Sequence, residues 1–250
     1  MDLGLKGSIA LVTGAASGVG REIALSLAAE GAAVGVNYRS SAAEADKLVG
    51  EIEAKGGKAK AYKADVTDFA AVKAMVDAVV KDFGGLNILI NNAGLAKRQR
   101  FIETTPADWH SQIDASLYGT IHCCHAAAPH LEASGNGRIV SVIGDSSRVG
   151  ESGLSIVAAA RAGVVGLMKS LAREFGRSGT TANTVSLGLV ETAHDKEWVD
   201  ANRDKLIRLY PVRRLGQPGD VAPMVALLAS PHGGWITGQV LSISGGFSMV

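Results

Sequence analysis

The stretch Val12–Gly20 reads Val-Thr-Gly-Ala-Ala-Ser-Gly-Val-Gly. A short apolar run at 8–12 precedes it and has the length of one buried strand. Behind it, residues 21–30 place apolar side chains at helical spacing. The glycines therefore stand where a strand turns into a helix. Glycine lets the backbone approach a phosphate closely, and a helix start offers that phosphate unpaired N–H groups and partial positive charge.

The glycines of this stretch are Gly14, Gly18 and Gly20, so their spacing differs from the common dinucleotide fingerprint G-x-G-x-x-G. A glycine loop by itself is also compatible with a plain tight turn. The strand before it and the helix after it favour a nucleotide site.

The composition limits the classes of protein to consider. The 250 residues fit one α/β domain, and 47% of them are apolar, enough for a large core. A net charge of +1 argues against a nucleic-acid surface. We see neither an apolar run long enough to span a membrane nor a secretory signal. The adjacent Cys123 and Cys124 cannot form an ordinary structural bridge, so we expect a cytoplasmic protein.

Apolar strands alternate with helices along the whole chain, and no linker divides it. We predict strands at 8–12, 33–38, 59–66, 86–91, 137–142, 181–186 and 240–243. We predict helices at 21–30, 41–55, 69–83, 106–133 and 153–175. Repeated strand–helix units imply one domain, 1–250, with a doubly wound parallel sheet of about seven strands and helices on both faces. Ligands of such sheets lie beyond the carboxyl ends of the strands.

Several motifs fall at such strand ends. They are Thr13-Gly14-x3-Gly18-x-Gly20, Asp65-Val66, Asn91-Asn92-Ala93-Gly94, and a tail from Arg214-Leu215-Gly216-Gln217-Pro218 through Thr237-Gly238-Gln239 to Gly245-Gly246. In order and spacing the chain resembles, over nearly its whole length, a short-chain dehydrogenase/reductase of the bacterial 3-oxoacyl-carrier-protein reductase type. The resemblance implies a Rossmann-type fold and a nicotinamide cofactor.

The resemblance also implies roles for the cofactor-side residues. The glycine loop would cradle the pyrophosphate, Asp65 would hold the adenine amino group beside Val66, and Thr192 would contact the carboxamide. Two of these residues have local alternatives, because Asp65 could cap the next turn and Asn91 could brace its strand end. The implied cofactor-binding residues are Gly14, Ala16, Ser17, Gly18, Val19, Gly20, Arg39, Ser40, Asp65, Val66, Asn91, Asn92, Ala93, Gly94, Arg161, Val190 and Thr192.

The residues after the second predicted strand bear on the choice of cofactor. An NAD site usually places Asp or Glu there to hold the ribose 2′-hydroxyl, and none occurs before Glu44. Arg39 offers a planar fork suited to a phosphate, and Ser40 adds a donor. A charge-assisted hydrogen bond contributes about 1.5–3 kcal/mol, enough for about a tenfold preference. We therefore predict NADP, the alternative being an ordinary surface arginine.

The catalytic half of the family pattern is changed. Family members use a tyrosine as general acid, a lysine four residues later, a serine and a supporting asparagine. Aligned without gaps, these positions fall on Val157, Arg161, Gly144 and Ser116. Valine has no proton to donate, and the pKa of arginine is too high for a proton shuttle. Losing a positioned general acid costs ~10²–10⁴ in rate.

Other residues could substitute. Ser146 and Ser147 follow the serine position, and His194 lies on a predicted substrate-covering loop at 188–208, although each is also compatible with an ordinary loop residue. The run His122-Cys123-Cys124-His125 resembles a metal cluster. It lies on one predicted helix, where only some of the four side chains share a face, so we predict core or subunit contact and no metal.

Three functions stay open at this point. The first is an NADP-linked oxidoreductase whose proton comes from elsewhere, and the second is a non-redox lyase, hydratase or isomerase in the same pocket. The third is a catalytically silent NADP(H) sensor or partner subunit. We favour an NADP(H)-binding protein of oxidoreductase descent that acts on an unidentified small molecule. The resemblance further implies a homotetramer, with no nucleic-acid or membrane partner.

Overall fold

The computed structural model describes residues 2–192 and 196–249. Over these residues it contains one parallel sheet in the order β3-β2-β1-β4-β5-β6-β7, which confirms the predicted doubly wound architecture. The strands are Ile9–Val12 (β1), Ala33–Tyr38 (β2), Lys58–Lys63 (β3), Ile88–Asn91 (β4), Arg138–Gly144 (β5), Thr181–Leu187 (β6) and Val240–Ile243 (β7).

Helices cover both faces of the sheet. Within the described residues they are Gly18–Ala29 (α1), Ala42–Ala54 (α2), Phe69–Phe83 (α3), Pro106–Ile113 (α4), Gly119–Ala133 (α5), Ser146–Val149 (α6), Ser155–Glu174 (α7), Lys196–Ile207 (α8) and Pro218–Ala229 (α9). Apolar residues of α1, α2 and α9 fill the core on one face, and those of α3, α5 and α7 fill the core on the other.

The strand order reverses at β1, which lies between β2 and β4. Val12 near its carboxyl end is in register with Val36 of β2 and Ile90 of β4. Reversals of this kind open a crevice between strand ends, and ligands of doubly wound sheets bind there. The crevice between the ends of β1 and β4 is therefore the place to look for a site.

The predicted third strand is too long. We predicted 59–66, whereas β3 ends at Lys63. The Asp65 carboxylate accepts hydrogen bonds from the backbone N–H and the hydroxyl of Thr67, at 3.0 and 2.9 Å. These bonds turn the chain, so that Asp65 and Val66 lie in the loop beyond the strand.

The predicted helix at 106–133 is interrupted. A π-helical turn, Asp114–Tyr118, separates α4 from α5. It contains the buried Ser116, whose hydroxyl donates to the carbonyl of Leu95 at 3.3 Å and accepts from its N–H at 3.4 Å. The extra residue of a π turn re-aims a side chain, and such turns occur often at functional sites.

Two further expectations need correction. The predicted loop at 188–208 contains α8, which has a polar composition and a single buried residue, Val199, among its described side chains. By length and composition, α7 is apolar enough to cross a membrane, contrary to our expectation from the sequence. However, α7 connects β5 to β6, which pair along seven residues, and it packs on the sheet. Core helices pass the same test of length and composition.

Candidate functional site

The ends of β1 and β4 are fastened to each other by side chains. The buried Thr13 hydroxyl accepts from the N–H groups of Asn92 and Ala93, at 2.9 and 3.0 Å. In return, the Asn92 amide donates to the carbonyls of Thr13 and Gly14, at 3.0 and 3.1 Å. The predicted Asn91–Gly94 segment and the glycine loop thus form one wall of the crevice.

The glycine loop has the geometry of a phosphate cradle. Gly14 and Gly18 have φ of 59° and 55°, in the left-handed region that favours glycine. A Cβ on Gly20 would lie 2.4 Å from Asn92 Nδ2 and 2.5 Å from the Gly14 carbonyl oxygen. Ser17 precedes α1 without capping it through its side chain, so the first N–H groups of α1 point into the crevice unpaired by that hydroxyl.

Asn37 supports this loop, although the sequence reasoning missed it. It is buried on β2, and its Oδ1 accepts from the Gly14 N–H at 3.1 Å. Its amide donates to the carbonyls of Ala64 and Tyr62, at 3.1 and 3.3 Å. The signal in the sequence was the polar side chain of Asn37 in an otherwise apolar strand, which indicates a buried hydrogen-bonding role. Asn37 links the loop after β1 to the end of β3.

Arg39 and Asp65 lie side by side beyond the ends of β2 and β3. Arg39 is exposed, and its Nη1 is 3.9 Å from Asp65 Oδ2. The other carboxylate oxygen of Asp65 caps the turn at Thr67, as the local alternative predicted. An exposed pair at this distance is weak, so the Arg39 fork stays available to a ligand. Ser40 is exposed beside it.

The remaining cofactor-side residues divide into two groups. A Cβ on Gly18 would lie 3.2 Å from Thr192 Cγ2, so the loop after β6 reaches the glycine loop and narrows the crevice. Val190, two residues earlier, bridges to Gly216. Ala16 and Val19 instead pack against the core, so these two can offer a ligand only their backbone.

Asn91 braces the end of β4, as its local alternative predicted. It is buried, and its amide braces the sheet by donating to Ser141 Oγ at 3.2 Å and approaching Cys124 Sγ at 3.3 Å. Its Oδ1 is buried and has no hydrogen-bond partner among the described residues. Burial raises the pKa of the Cys124 thiol to about 12, so that thiol is neutral.

The side chains of His122-Cys123-Cys124-His125 diverge from α5. Both cysteines are buried, whereas the rings of His122 and His125 each lie 5.4 Å from the ring of Phe69. The Nδ1 of His122 also hydrogen-bonds the Val66 carbonyl at 2.9 Å. Within residues 2–192 and 196–249, no group of three or more His, Cys, Asp or Glu side chains could hold a metal ion.

Two of the predicted catalytic positions, Gly144 and Arg161, meet at the end of β5. A Cβ on Gly144, the last residue of β5, would lie 2.8 Å from Arg161 Nη1. Burial lowers the pKa of the Arg161 guanidinium, which nevertheless stays charged at neutral pH. Val157 is fully buried on the first turn of α7, one turn before Arg161. Ser116 faces Gly94, whose Cβ would lie 3.4 Å from the Ser116 hydroxyl.

The structure separates the three candidate substitutes. The Ser147 hydroxyl donates to the Gly144 carbonyl at 2.8 Å, as an ordinary loop serine does. The Ser146 hydroxyl is buried, and it has no partner within the described part of the chain. His194 lies outside the described residues. Asp145, which precedes both serines, is buried; its Oδ1 accepts from Ser186 and, at 3.0 Å, from Ser242, and its Oδ2 is buried without a hydrogen-bond partner among the described residues.

Residues 14–248 match a family model described as enoyl-(acyl carrier protein) reductase. A solved short-chain dehydrogenase from Burkholderia cenocepacia is 39% identical with a TM-score of 0.92, over 97% of this chain and 98% of that one. The chain belongs to the short-chain dehydrogenase/reductase family. The Burkholderia structure is a complex with NADP.

Other family members are equally similar. A 3-oxoacyl-[acyl-carrier-protein] reductase of Staphylococcus aureus is 39% identical, over 96% of this chain and 98% of its own length. A (2S)-[(R)-hydroxy(phenyl)methyl]succinyl-CoA dehydrogenase subunit of Thauera aromatica is 37% identical, over 99% of both chains. The resemblance to 3-oxoacyl-carrier-protein reductases is thus confirmed. The roles of individual residues in this short-chain dehydrogenase/reductase stay predictions.

Proposed function

We propose that this protein binds NADP(H) across the carboxyl ends of β1 and β4 and is an atypical member of its oxidoreductase family, with slow turnover on ordinary ketones. The observation that carries the proposal is the position of Arg39. Its exposed guanidinium follows β2 directly, on the strand next to β1 and its glycine loop. A phosphate on the adenosine ribose would be recognised at such a place.

The residues along the crevice fit the parts of this cofactor. Open backbone N–H groups at the start of α1 suit the pyrophosphate, and the absent side chains of Gly14, Gly18 and Gly20 leave room for its approach. Arg39 and Ser40 would hold the 2′-phosphate, and Thr192 would adjoin the nicotinamide end. When bound, NADPH supplies a hydride to a carbonyl carbon. The NADP complex of the Burkholderia relative supports this assignment.

The proton that must accompany the hydride is the difficulty. Gly144 and Val157 carry no donor, and Arg161 holds its proton too tightly to give it up. We propose that these three residues occupy the family's serine, tyrosine and lysine positions. The unpartnered Ser146 hydroxyl is the remaining donor beside Gly144. A hydroxyl without an adjacent base is a poor general acid, which supports slow turnover.

A catalytically silent subunit is the second candidate. The fully buried Val157, which cannot donate a proton to anything, favours it. The relative from Thauera aromatica is itself named as a subunit of a dehydrogenase. In this case the NADP(H) site would serve sensing or assembly rather than turnover.

Titration of the purified protein with NADPH and NADH, followed by cofactor fluorescence, tests the proposal. We expect NADPH to bind about tenfold tighter or more, since Arg39 adds a charge-assisted hydrogen bond. The Arg39→Ala variant should lose about tenfold in NADPH affinity and little in NADH affinity. Arg177→Ala is the matched control, because Arg177 is exposed just before β6, at the opposite edge of the sheet. Equal affinities of the wild type for both cofactors would contradict the proposal.

A further inference from the structure

Arg161 carries a charge that no ion pair neutralises within the described residues. Its guanidinium lies over the end of β5, with Nη1 only 2.8 Å from the place of a Cβ on Gly144. Among residues 2–192 and 196–249, no side chain forms an ion pair or a hydrogen bond with it. Burial lowers the pKa of this guanidinium. A partly desolvated cation without a counter-charge is costly, so a ligand that supplies the counter-charge would be bound strongly.

A second polar group is aimed at the same point. Ser146 is only 5% exposed, and its hydroxyl is buried without a hydrogen-bond partner in the described part of the chain. The Cβ position on Gly144 that lies 2.8 Å from Arg161 Nη1 lies 3.6 Å from Ser146 Oγ. A buried hydroxyl that is left unpaired destabilises the fold, and a ligand that pairs with it removes that cost. The open place beside Gly144 therefore lies next to both the Arg161 guanidinium and the Ser146 hydroxyl, neither of which is paired within the described residues.

The two carboxylates closest in sequence to this point do not pair with Arg161. Asp145 accepts hydrogen bonds at Oδ1 from Ser186 and Ser242, on β6 and β7, and its buried Oδ2 has no hydrogen-bond partner among the described residues. Glu151 pairs with Arg98 at 2.5 Å. Within the described residues, the place opposite the guanidinium is therefore left to a ligand.

We propose that the Arg161 guanidinium and the Ser146 hydroxyl bind a carboxylate carried by the small-molecule substrate. The planar fork of arginine matches the two oxygens of a carboxylate, and a serine hydroxyl can donate to one of them. Gly144 leaves the room that this pairing needs. The substrate class is then a free oxo- or hydroxycarboxylic acid rather than an ester or thioester. This inference rests on the proposed function in that it takes the end of β5 to be the substrate side of the pocket.

Calorimetric titration with acetoacetate and with methyl acetoacetate tests the proposal, because the two ligands differ only in the free acid. Both are titrated into NADPH-loaded and into cofactor-free protein. We expect the acid to bind about tenfold tighter or more than the ester, as one charge-assisted pairing provides. Arg161→Gln should remove that preference, so that acid and ester bind equally, and Ser146→Ala should reduce acid affinity a few-fold. The matched control is Arg173→Gln, an exposed arginine on the same helix.

Acid and ester of equal affinity in the wild type, including failure of both to bind, would overturn the proposal. Unchanged acid affinity in Arg161→Gln would overturn it as well. If that variant does not fold, Arg161→Lys replaces it. Lysine carries a point charge without the planar fork of arginine, so this variant should keep only part of the acid preference. An acid preference equal to that of the wild type would contradict the proposed pairing. If the protein prefers the acid but does not bind NADPH, this inference is supported and the proposed function is overturned. If the protein binds NADPH but does not prefer the acid, the proposed function is supported and this inference is overturned.

Discussion

At the scale of single residues, the end of β5 leaves no room for both a side chain at position 144 and the Arg161 guanidinium in its present place. A serine at position 144 would bring its Cβ within 2.8 Å of Arg161 Nη1. Because that atom is the far end of a flexible side chain, the guanidinium would swing away and the backbone would stay in place. Gly144→Ser therefore displaces the Arg161 guanidinium, and replacing Gly144 or Arg161 alone does not supply the missing tyrosine.

This contact between positions 144 and 161 gives the first residue-scale prediction. Gly144→Ser, Val157→Tyr and Arg161→Lys introduced together should raise NADPH-dependent reduction of a 3-oxo ester by ~10²–10⁴, because they supply two donors and the lysine that tunes the tyrosine. The single variants should each change the rate little, since residues that act as a unit are strongly non-additive. Loss of NADPH absorbance measures the rate.

This experiment needs a folding control, and one further residue limits the expected gain. Val157 is fully buried, so a tyrosine there overpacks its surroundings, and thermal melting must show that the triple variant is folded. Ser116 keeps its bonds to Leu95 and limits the gain, because the family asparagine is not restored.

Brisk ketone reduction by the unmodified protein would refute slow turnover. Alanine variants at Ser146, Ser147 and His194, with a pH–rate profile, would then identify the donor.

Gly20 supplies a second residue-scale prediction. A Cβ there would meet both the Asn92 amide, at 2.4 Å, and the Gly14 carbonyl, at 2.5 Å. The carbonyl belongs to the backbone of the loop, so Gly20→Ala should lower the free energy of unfolding by roughly 1–3 kcal/mol and weaken NADPH binding. Gly50→Ala on α2 is the control, since nothing lies within 4 Å of its Cβ position. Denaturant melting measures both, and a Gly20→Ala variant as stable as Gly50→Ala would be inconsistent with a tight loop.

At the scale of elements, the start of α4 is held by charge. Thr105 and Asp108 form a capping box, and Lys97 donates to Asp108 at 2.5 Å. The Lys97 hydrogen bond and those from Thr105 lower the pKa of Asp108 to about 2. A carboxylate with a lowered pKa stabilises the fold above its unfolded pKa, and this contribution disappears as the pH falls towards 2. The contribution of this cap is therefore lost in acid.

The corresponding prediction concerns Lys97→Met. Removing the strongest donor should raise the pKa of Asp108 towards its ordinary value, so that Asp108 of the folded protein takes up its proton at higher pH and its carboxylate stabilises the fold less at neutral pH. Carboxyl chemical shifts in an NMR titration report the pKa directly. Lys73→Met is the matched control, because Lys73 pairs with Asp77 on the separate helix α3. An unchanged Asp108 titration in Lys97→Met would mean that Thr105 alone sets the pKa.

The elements that the sequence predicted well are those with local signals. The bounds of β2 and β7 agree with the prediction, as does α3, whose Asp68 caps it through the N–H groups of Ala70 and Ala71. The sequence did not predict the interruption of a helix whose stabilising partner lies far away along the chain. The π turn at Ser116 depends on Leu95, 21 residues earlier.

The candidate site shows the same division. The glycine loop and the polar segment after β4 could be placed from spacing alone, because parallel strands bring their carboxyl ends to one edge. The hydrogen-bond partners of Asn37 and Asp145 could not be predicted, since those partners lie on other strands or beyond their ends. The local pairing of Ser147 and the isolation of Ser146 likewise depend on how β5 enters α6.

At the scale of the whole molecule, several apolar side chains are exposed among the described residues. The buried residues of α7 form a single stripe, and Ala159, Ala162 and Gly163 beside it are exposed. Ala160, on the same helix, is buried within the protein. Trp235, just before β7, is 99% exposed. Small residues on one helix and an exposed indole near the chain's end suit contacts between copies.

Assembly is therefore the last prediction. We expect a homotetramer with two-fold interfaces, of about four times 25.7 kDa by light scattering at micromolar concentration. The double variant Ala159→Glu/Ala162→Glu should reduce it to a smaller species, because four or more carboxylates would be brought together where α7 meets its copy. Ala43→Glu on α2 makes the same chemical change at an exposed position and should leave the mass unchanged. A monomeric wild type would contradict the prediction, and an intact tetramer in the double variant would exclude α7 from the interface.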